Sequence, residues 1–414
     1  MKEAKVKDKW FKLDNAAKIY PAFASKKDPA TFRVAAVLNE EIQYKKLQEA
    51  LNETLPMFPS MAVTLRQGLF WYYLDENPKM PLVKNETKMP CTYINLKNSN
   101  GYLFQIYYYK KRISIECFHA LTDGYGAAEF LKALLFNYLK QKHVVTSDLL
   151  RLSGNTPEDV EDSYKKYATN DHNDSDSVAV KHIKGTPTHI EGAFVHHGII
   201  NASEVNRVAK SFNTTLTVLI TALYLKSLIS VIKEGPIVVA VPVNLRKMFP
   251  SKTLRNFSYV INVKCEKDES LEDMIETVSL QFKIQLDKKQ LQGQFSKNVD
   301  FENNMALKLT PNVIKSVFLK QARTFKSKKV VTSILSNPGI VTLPESMIPY
   351  VSHFECVLYA SNPHSINMGI ATFNNKMVIS LSRNIKEKHI IDEFYSQLKN
   401  TTGLDIELYS NEGV

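Results

Sequence analysis

Between Arg112 and Lys140 a run in strand register feeds directly into a run in helix register, and this junction restricts the chain to folds in which sheet and helix share a core. Arg112 to Phe118 alternates, with Ile113, Ile115 and Cys117 turned one way, the period of a half-buried strand. From Ala127 to Lys140, Ala128, Leu131, Leu134, Leu135 and Tyr138 recur at helical spacing and no proline intervenes. The turn between them reads Phe118-His119-Ala120-Leu121-Thr122-Asp123-Gly124-Tyr125-Gly126. Gly124 and Gly126 suit a tight backbone, because glycine enters positive φ without steric cost. Asp123 either caps the orphan amides of the helix or reaches a buried cation. His119 is a candidate general base: a neutral imidazole takes a proton from a hydroxyl or thiol near neutral pH once a neighbour fixes its tautomer.

At 414 residues the chain exceeds the size at which one core keeps growing, so two domains are expected. Hydrophobic content of 44% and charge of 23% fit a soluble globular protein and exclude a disordered one. The charged stretch Met1 to Lys9 leads into no apolar signal core, so an intracellular, cytoplasmic protein is expected. Thr214 to Ile232 is nearly long enough to span a bilayer but carries Lys226 and several hydroxyls, which reads as a buried helix and not a membrane span. Cys91, Cys117, Cys265 and Cys356 lie far apart with no metal-ligand spacing, so neither a metal site nor a disulfide framework is expected. The net charge of +11 is dispersed, without zinc-finger spacing or an RNA-binding aromatic motif, and no nucleic-acid partner is expected. Its local concentrations, Lys326-Ser327-Lys328-Lys329 and Arg246 to Arg255, are either solvated faces or a site for a phosphate-bearing cofactor.

The chain divides into an N-terminal unit over 1–165, a polar linker over 166–190 and a C-terminal unit over 191–414. In the first, Ile42 to Leu55 reads as a helix, and Leu69 to Leu74 and Gly101 to Tyr109 as strands, the latter pairing with the strand before His119. In the second, a strand at Gly192 to Ile200 precedes helices at Ala202 to Phe212 and from Thr214. A buried strand, Pro236 to Val243, then delivers Asn244-Leu245-Arg246 at its end. A helix at Leu271 to Lys288 follows, then strands near Val330 to Leu335, His353 to Tyr359, Ile366 to Thr372 and Lys376 to Leu381. Two α/β units meeting at a cleft with His119 at the seam is the expected architecture. His196-His197 has no Asp-Gly behind it and reads as structural; Trp71, Tyr72, Tyr73 and Tyr107 to Tyr109 read as sheet faces.

Several sequences stand together with His119 and Asp123-Gly124: Pro242-Val243-Asn244-Leu245-Arg246, Arg255-Asn256-Phe257, Ser336-Asn337-Pro338-Gly339 and Ile366-Asn367-Met368-Gly369. Together they resemble the bacterial alcohol acetyltransferase family, within the chloramphenicol acetyltransferase-like and condensation-domain superfamily. The resemblance runs from about Trp10 to Arg383 and includes Leu47-Gln48-Glu49-Ala50-Leu51, Phe58-Pro59 and Gly68-Leu69-Phe70-Trp71-Tyr72. It implies an α/β fold of two chloramphenicol acetyltransferase-like subdomains, each a mixed sheet with helices, with the active site in the tunnel between them. It also implies His119 as general base, Asp123 as structural acid, Gly124 in the motif turn and Arg246 as the partner of Asp123, with Arg255 second. Removing one side of such a buried pair costs about 3 to 5 kcal/mol, so Asp123→Ala is expected to harm folding as well as activity. Ser336, Asn337, Asn367, Arg255 and Asn256 are candidates for binding the oxyanion or the substrate.

The implied reaction moves an acetyl or other acyl group from acyl-CoA, a co-substrate and not a resident cofactor, to a small-molecule alcohol, with no acyl-enzyme. An acyl carrier protein as donor, as in condensation domains, and a non-catalytic binding role are the alternatives. Phe118 stands where condensation domains often have a first histidine, and the Asp-Phe-Gly-Trp-Gly sequence of plant BAHD acyltransferases is absent.

Overall fold

A computed structural model describes residues 10–172, 178–233 and 235–412, the side chains of 322–329 excepted. The first half runs β1 (Trp10–Lys12), α1 (Tyr20–Phe23), β2 (Thr31–Leu38), α2 (Tyr44–Thr54), β3 (Val63–Gln67), β4 (Tyr72–Glu76), β5 (Lys84–Asn85), β6 (Phe104–Tyr109), β7 (Arg112–Phe118), α3 (Gly124–Leu139) and α4 (Ser163–Tyr167). Next come β8 (Phe194–Asn201), α5 (Ala202–Ser211), α6 (Leu216–Ile232), β9 (Ile237–Asn244), β10 (Ser258–Cys265), α7 (Leu271–Gln285), α8 (Lys288–Asn303), α9 (Met305–Leu309) and α10 (Asn312–Val330). The chain closes with β11 (Ser333–Ser336), β12 (Val351–Leu358), β13 (Ile366–Phe373), β14 (Lys376–Arg383), α11 (His389–Thr402) and β15 (Glu407–Ser410).

The strands form a five-stranded sheet, β12-β2-β7-β6-β5, a seven-stranded sheet, β10-β9-β11-β13-β14-β8-β15, and a small sheet, β1-β4-β3. The molecule is thus a mixed α/β fold of two sheet-rich subdomains. The two-residue turn Lys110-Lys111, with Lys110 at φ 49°, joins β6 to β7 and sets Phe104 opposite Cys117 and Ile106 opposite Ile115. α3 is buried nearly all round, between α2 and the sheet. α6 is the equivalent core helix of the other half, enclosed by α5, α7 and α11, and Lys226 leaves it to pair with Asp268 at 2.9 Å. No single described helix is long and apolar enough to cross a membrane; α5 and α6 reach that length only together, bent by 82°.

The strand expected at His353 to Tyr359 departs from the reading of 191–414 as one unit. It forms β12 and pairs with β2, Phe354 opposite Ala36 and Cys356 opposite Val34, at the edge of the first sheet. The two sheets come together there: a Cβ on Gly369 of β13 would lie 2.2 Å from the Cys356 carbonyl oxygen. The glycines of the turn also differ from expectation. Gly124 and Gly126 open α3, and neither adopts positive φ. The four cysteines are buried and unpaired, and no group of three or more potential metal ligands occurs among the described residues.

Candidate active site

β7 ends at Phe118 and leaves His119 at its tip, where the His119 backbone N–H donates to the Ala30 carbonyl at 2.9 Å. The imidazole is held between two aromatic rings: Tyr20 stacks on it at 5.1 Å between centroids and Phe32 of β2 lies tilted at 4.5 Å. Burial lowers its pKa to about 4, against the opposing pull of the Asp123 charge and the Asn256 side chain. The ring is therefore neutral at physiological pH. Its Nδ1 is buried and has no partner of good hydrogen-bond geometry among the described residues.

Asp123 does both things its sequence position allowed. Its Oδ1 accepts from the Gly126 N–H at 3.2 Å as the N-cap of α3, and the carboxylate takes two hydrogen bonds from Arg246, Nη1 to Oδ2 at 2.8 Å and Nη2 to Oδ1 at 3.3 Å. The Phe257 N–H adds a further donor to Oδ2 at 2.9 Å. Arg246 spends its other donors on the Thr253 and Arg255 carbonyls and on Asn244 Oδ1, and its guanidinium lies 4.4 Å from the Tyr125 ring centroid. A planar fork in this setting has no geometric substitute in lysine. The pair joins the start of α3 to the turn after β9, and so ties the two halves together behind His119.

Arg255 does not touch Asp123. It runs into the first half, where Nη1 donates to the carbonyls of Ser60 and Leu121 at 3.2 and 3.1 Å, and burial lowers its pKa to about 10. Asn256 sits beside the histidine, but its side-chain N–H groups are committed to Asp14 and to the His119 carbonyl, both at 3.0 Å, so it positions the turn and has no donor left for an oxyanion. Asn367 stitches Ile334 to Tyr359, and Asn337 bonds Thr217. Neither they nor Ser336 line the chamber that holds His119.

That chamber measures about 450 Å³ and opens at the seam. Its walls come from the segment before α1, from Trp71 in the β3–β4 turn, from β10 and from α8 to α10, with Ser258 and Asn262 among its polar groups. A charged cluster stands at one side: Glu302 pairs with Lys18 at 2.7 Å and Lys165 at 2.5 Å and accepts from Asn15 at 2.9 Å. Burial alone would raise the Glu302 pKa, but the two lysines pull it below the usual carboxylate value. Trp71, expected on a sheet face, instead walls the chamber, with the buried Lys315 ammonium 3.6 Å from its ring centroid. His196-His197 is structural: His197 is buried, bonds Ser380 at 2.8 Å and stacks on Tyr409. The Lys326 to Lys329 cluster lies outside the described side chains. Tyr20, Phe32 and the Lys18–Glu302 pair carry no local sequence signal, since they reach the site from separate elements.

No family model matches the chain, and no curated protein matches it. Solved structures do. Polyketide synthase associated protein 5 from Mycobacterium tuberculosis superposes with a TM-score of 0.64 at 14% identity, covering 97% of this chain and 99% of that one. The starter condensation domain of rhizomide synthetase, in complex with C8-CoA and Leu-SNAC, gives 0.59 at 12% identity over 96% and 94% of the two chains. TRI3 trichothecene 15-O-acetyltransferase from Fusarium sporotrichioides gives 0.59 at 11% identity over 97% and 96%. At these identities the likeness shows the fold, and the chain has the two-subdomain fold shared by condensation domains and acyltransferases of the chloramphenicol acetyltransferase type.

Proposed function

We propose that the protein is an acyl-CoA-dependent O-acyltransferase, a relative of the alcohol acetyltransferases, with His119 as general base. The observation that carries this is a neutral imidazole, packed against two aromatic rings and followed four residues on by the buried Asp123–Arg246 pair, on the wall of an open chamber of about 450 Å³. A chamber of that size accepts a small acceptor and the acyl end of a donor. In the reaction, His119 takes the hydroxyl proton as the alcohol oxygen attacks the thioester carbonyl. Collapse of the tetrahedral adduct breaks the C–S bond, and the imidazolium returns the proton to the departing thiolate, giving ester and free thiol. No acyl-enzyme forms. C8-CoA bound to the rhizomide synthetase domain supports a CoA thioester as donor in this fold.

The test is to incubate the protein with acetyl-CoA and longer acyl-CoAs against a panel of alcohols and to follow thiol release. His119→Ala is expected to lower kcat by about a hundredfold to ten-thousandfold, the range for a positioned general base. Undiminished turnover in that variant would remove His119 from the mechanism. Turnover from an acyl carrier protein with none from free CoA thioesters would assign the condensation-type donor, and ligand binding without turnover from either would leave a binding protein.

A further inference from the structure

Helix α10 is inside out over its first two turns. Its inward side holds Asn312 and Lys315: the Asn312 backbone N–H donates to the Leu69 carbonyl at 2.8 Å, and Lys315 Nζ to the Phe70 carbonyl at 2.8 Å. Its outward side is Val313, Ile314, Val317 and Phe318, exposed by 67, 50, 55 and 63%, a set whose spacing makes one continuous stripe. Leu69 in the adjoining turn is 71% exposed. Along α8 and α9, Phe301, Met305 and Leu309 stand more than 60% exposed. Scattered apolar side chains on a surface are ordinary, but a stripe of four on one helix, with further exposed apolar side chains on the neighbouring elements in sequence, marks a contact surface.

The charge around this face identifies what it fits. From Asn303 to Pro344 the sequence contains no Asp or Glu and seven Lys or Arg; among the described side chains Lys308 and Lys320 are exposed and Lys315 turns inward. A second copy of the chain would set that positive stretch against itself. Exposed phenylalanine, leucine and valine side chains on a segment whose sequence is net positive instead match a boundary that admits apolar groups to some depth and carries negative charge, as the headgroup region of an anionic bilayer does. The chamber lies at the same face: Phe301 belongs to both the patch and the chamber wall, and Leu307 and Leu319 line the chamber from α9 and α10.

We propose that α9, the first half of α10 and the β3–β4 turn dock the protein peripherally on an anionic lipid bilayer, with the mouth of the His119 chamber at the membrane surface. Docking is read as binding and not as turnover, so it stands or falls independently of the acyl-transfer reading. The full chain is expected to co-sediment with vesicles of phosphatidylcholine and phosphatidylglycerol at low salt and to bind phosphatidylcholine alone weakly. The double variant Ile314→Glu/Phe318→Glu is expected to bind the mixed vesicles at least about tenfold less, with an unchanged thermal midpoint because both side chains are exposed. The proposal is overturned if the wild-type chain stays in the supernatant, if the double variant binds equally, or if pure phosphatidylcholine binds as well as the mixture. It is also overturned if light scattering shows a dimer that the double variant dissolves, or if an acidic carrier protein binds this face while vesicles do not.

Discussion

The environment of the His119 imidazole is set by hydrophobic contacts more than by charge. Tyr20 and Phe32 pack against the ring, and burial disfavours the imidazolium form and lowers the pKa to about 4. For activity, the fraction of neutral base stays near one well below pH 6.5, and the acidic limb of kcat/KM is expected at about pH 4. A limb near pH 6.5 in assays brief enough to precede acid unfolding would show that the ring is not desolvated. For stability the sign is opposite to that of a salt-bridged histidine: as pH falls from 6.5 to 4, the unfolded chain takes up a proton that the folded chain refuses, and stability is lost across that window. His197, lowered to about 4 chiefly by burial, adds to the same loss. At this scale the pairing of Asp123 with Arg246 was readable from motif and strand-end position. Asp123 follows His119 by four residues, and the strand-end arginine is visible as Pro242 to Arg246. The placement of Ser336 and Asn337 away from the chamber was not, because a Ser-Asn-Pro-Gly turn has the same sequence whether or not it faces a chamber.

Elements place these residues through backbone contact as well as side-chain packing. α3 begins where the Asp123–Arg246 pair and the loop around Leu254 converge, and Gly126 lets them approach: an added Cβ would lie 2.4 Å from the Leu254 carbonyl oxygen and 2.1 Å from Thr122 Oγ1. Thr122 Oγ1 itself donates to that carbonyl at 2.6 Å. Gly124, two residues earlier in the motif, meets nothing within 4 Å. Gly126→Ala is therefore expected to destabilise the protein by about 1 to 3 kcal/mol through overpacking, whereas Gly124→Ala leaves stability within about 0.5 kcal/mol. Denaturant midpoints of the two variants check this, and equal effects would mean the seam relaxes freely. The same scale shows why some elements were legible and others hidden. β7, β9, α6 and α7 announce themselves by period or by unbroken apolar length. β2 does not, because it is buried on both faces and includes Arg33, whose charge is absorbed by Glu116 and Glu86 at 2.8 and 2.6 Å. In α10 the periodicity is present, but nothing in it says which side faces the protein.

Across the whole molecule the two halves are interlocked, not merely abutted. β12 comes from the second half in sequence and completes the first half's sheet, and Leu343, Met347, Phe354 and Phe373 join the first half's core. The charges at this crossing are shared as well. Arg33 and Arg112 bind Glu86, Arg112 approaches Glu355 at 3.6 Å, and Tyr409 from β15 donates to Glu355 at 3.0 Å. Burial alone would raise the Glu355 pKa, yet His197 and Arg112 hold it far below the usual carboxylate range, so this buried cluster depends on residues of both halves being in place. A break near residue 165, which composition marks as a boundary, would strip β2 of its neighbour and leave an apolar strand edge in solution. The fragment 1–165 produced alone is thus expected to aggregate or to remain without near-ultraviolet circular dichroism, and the intact chain to unfold in one calorimetric transition whose van't Hoff and calorimetric enthalpies agree. A soluble fragment with a cooperative melt, or two resolved transitions in the intact chain, would mean that the crossing strand decorates two independent domains; the shared core and the shared charges argue that it makes one folding unit of them.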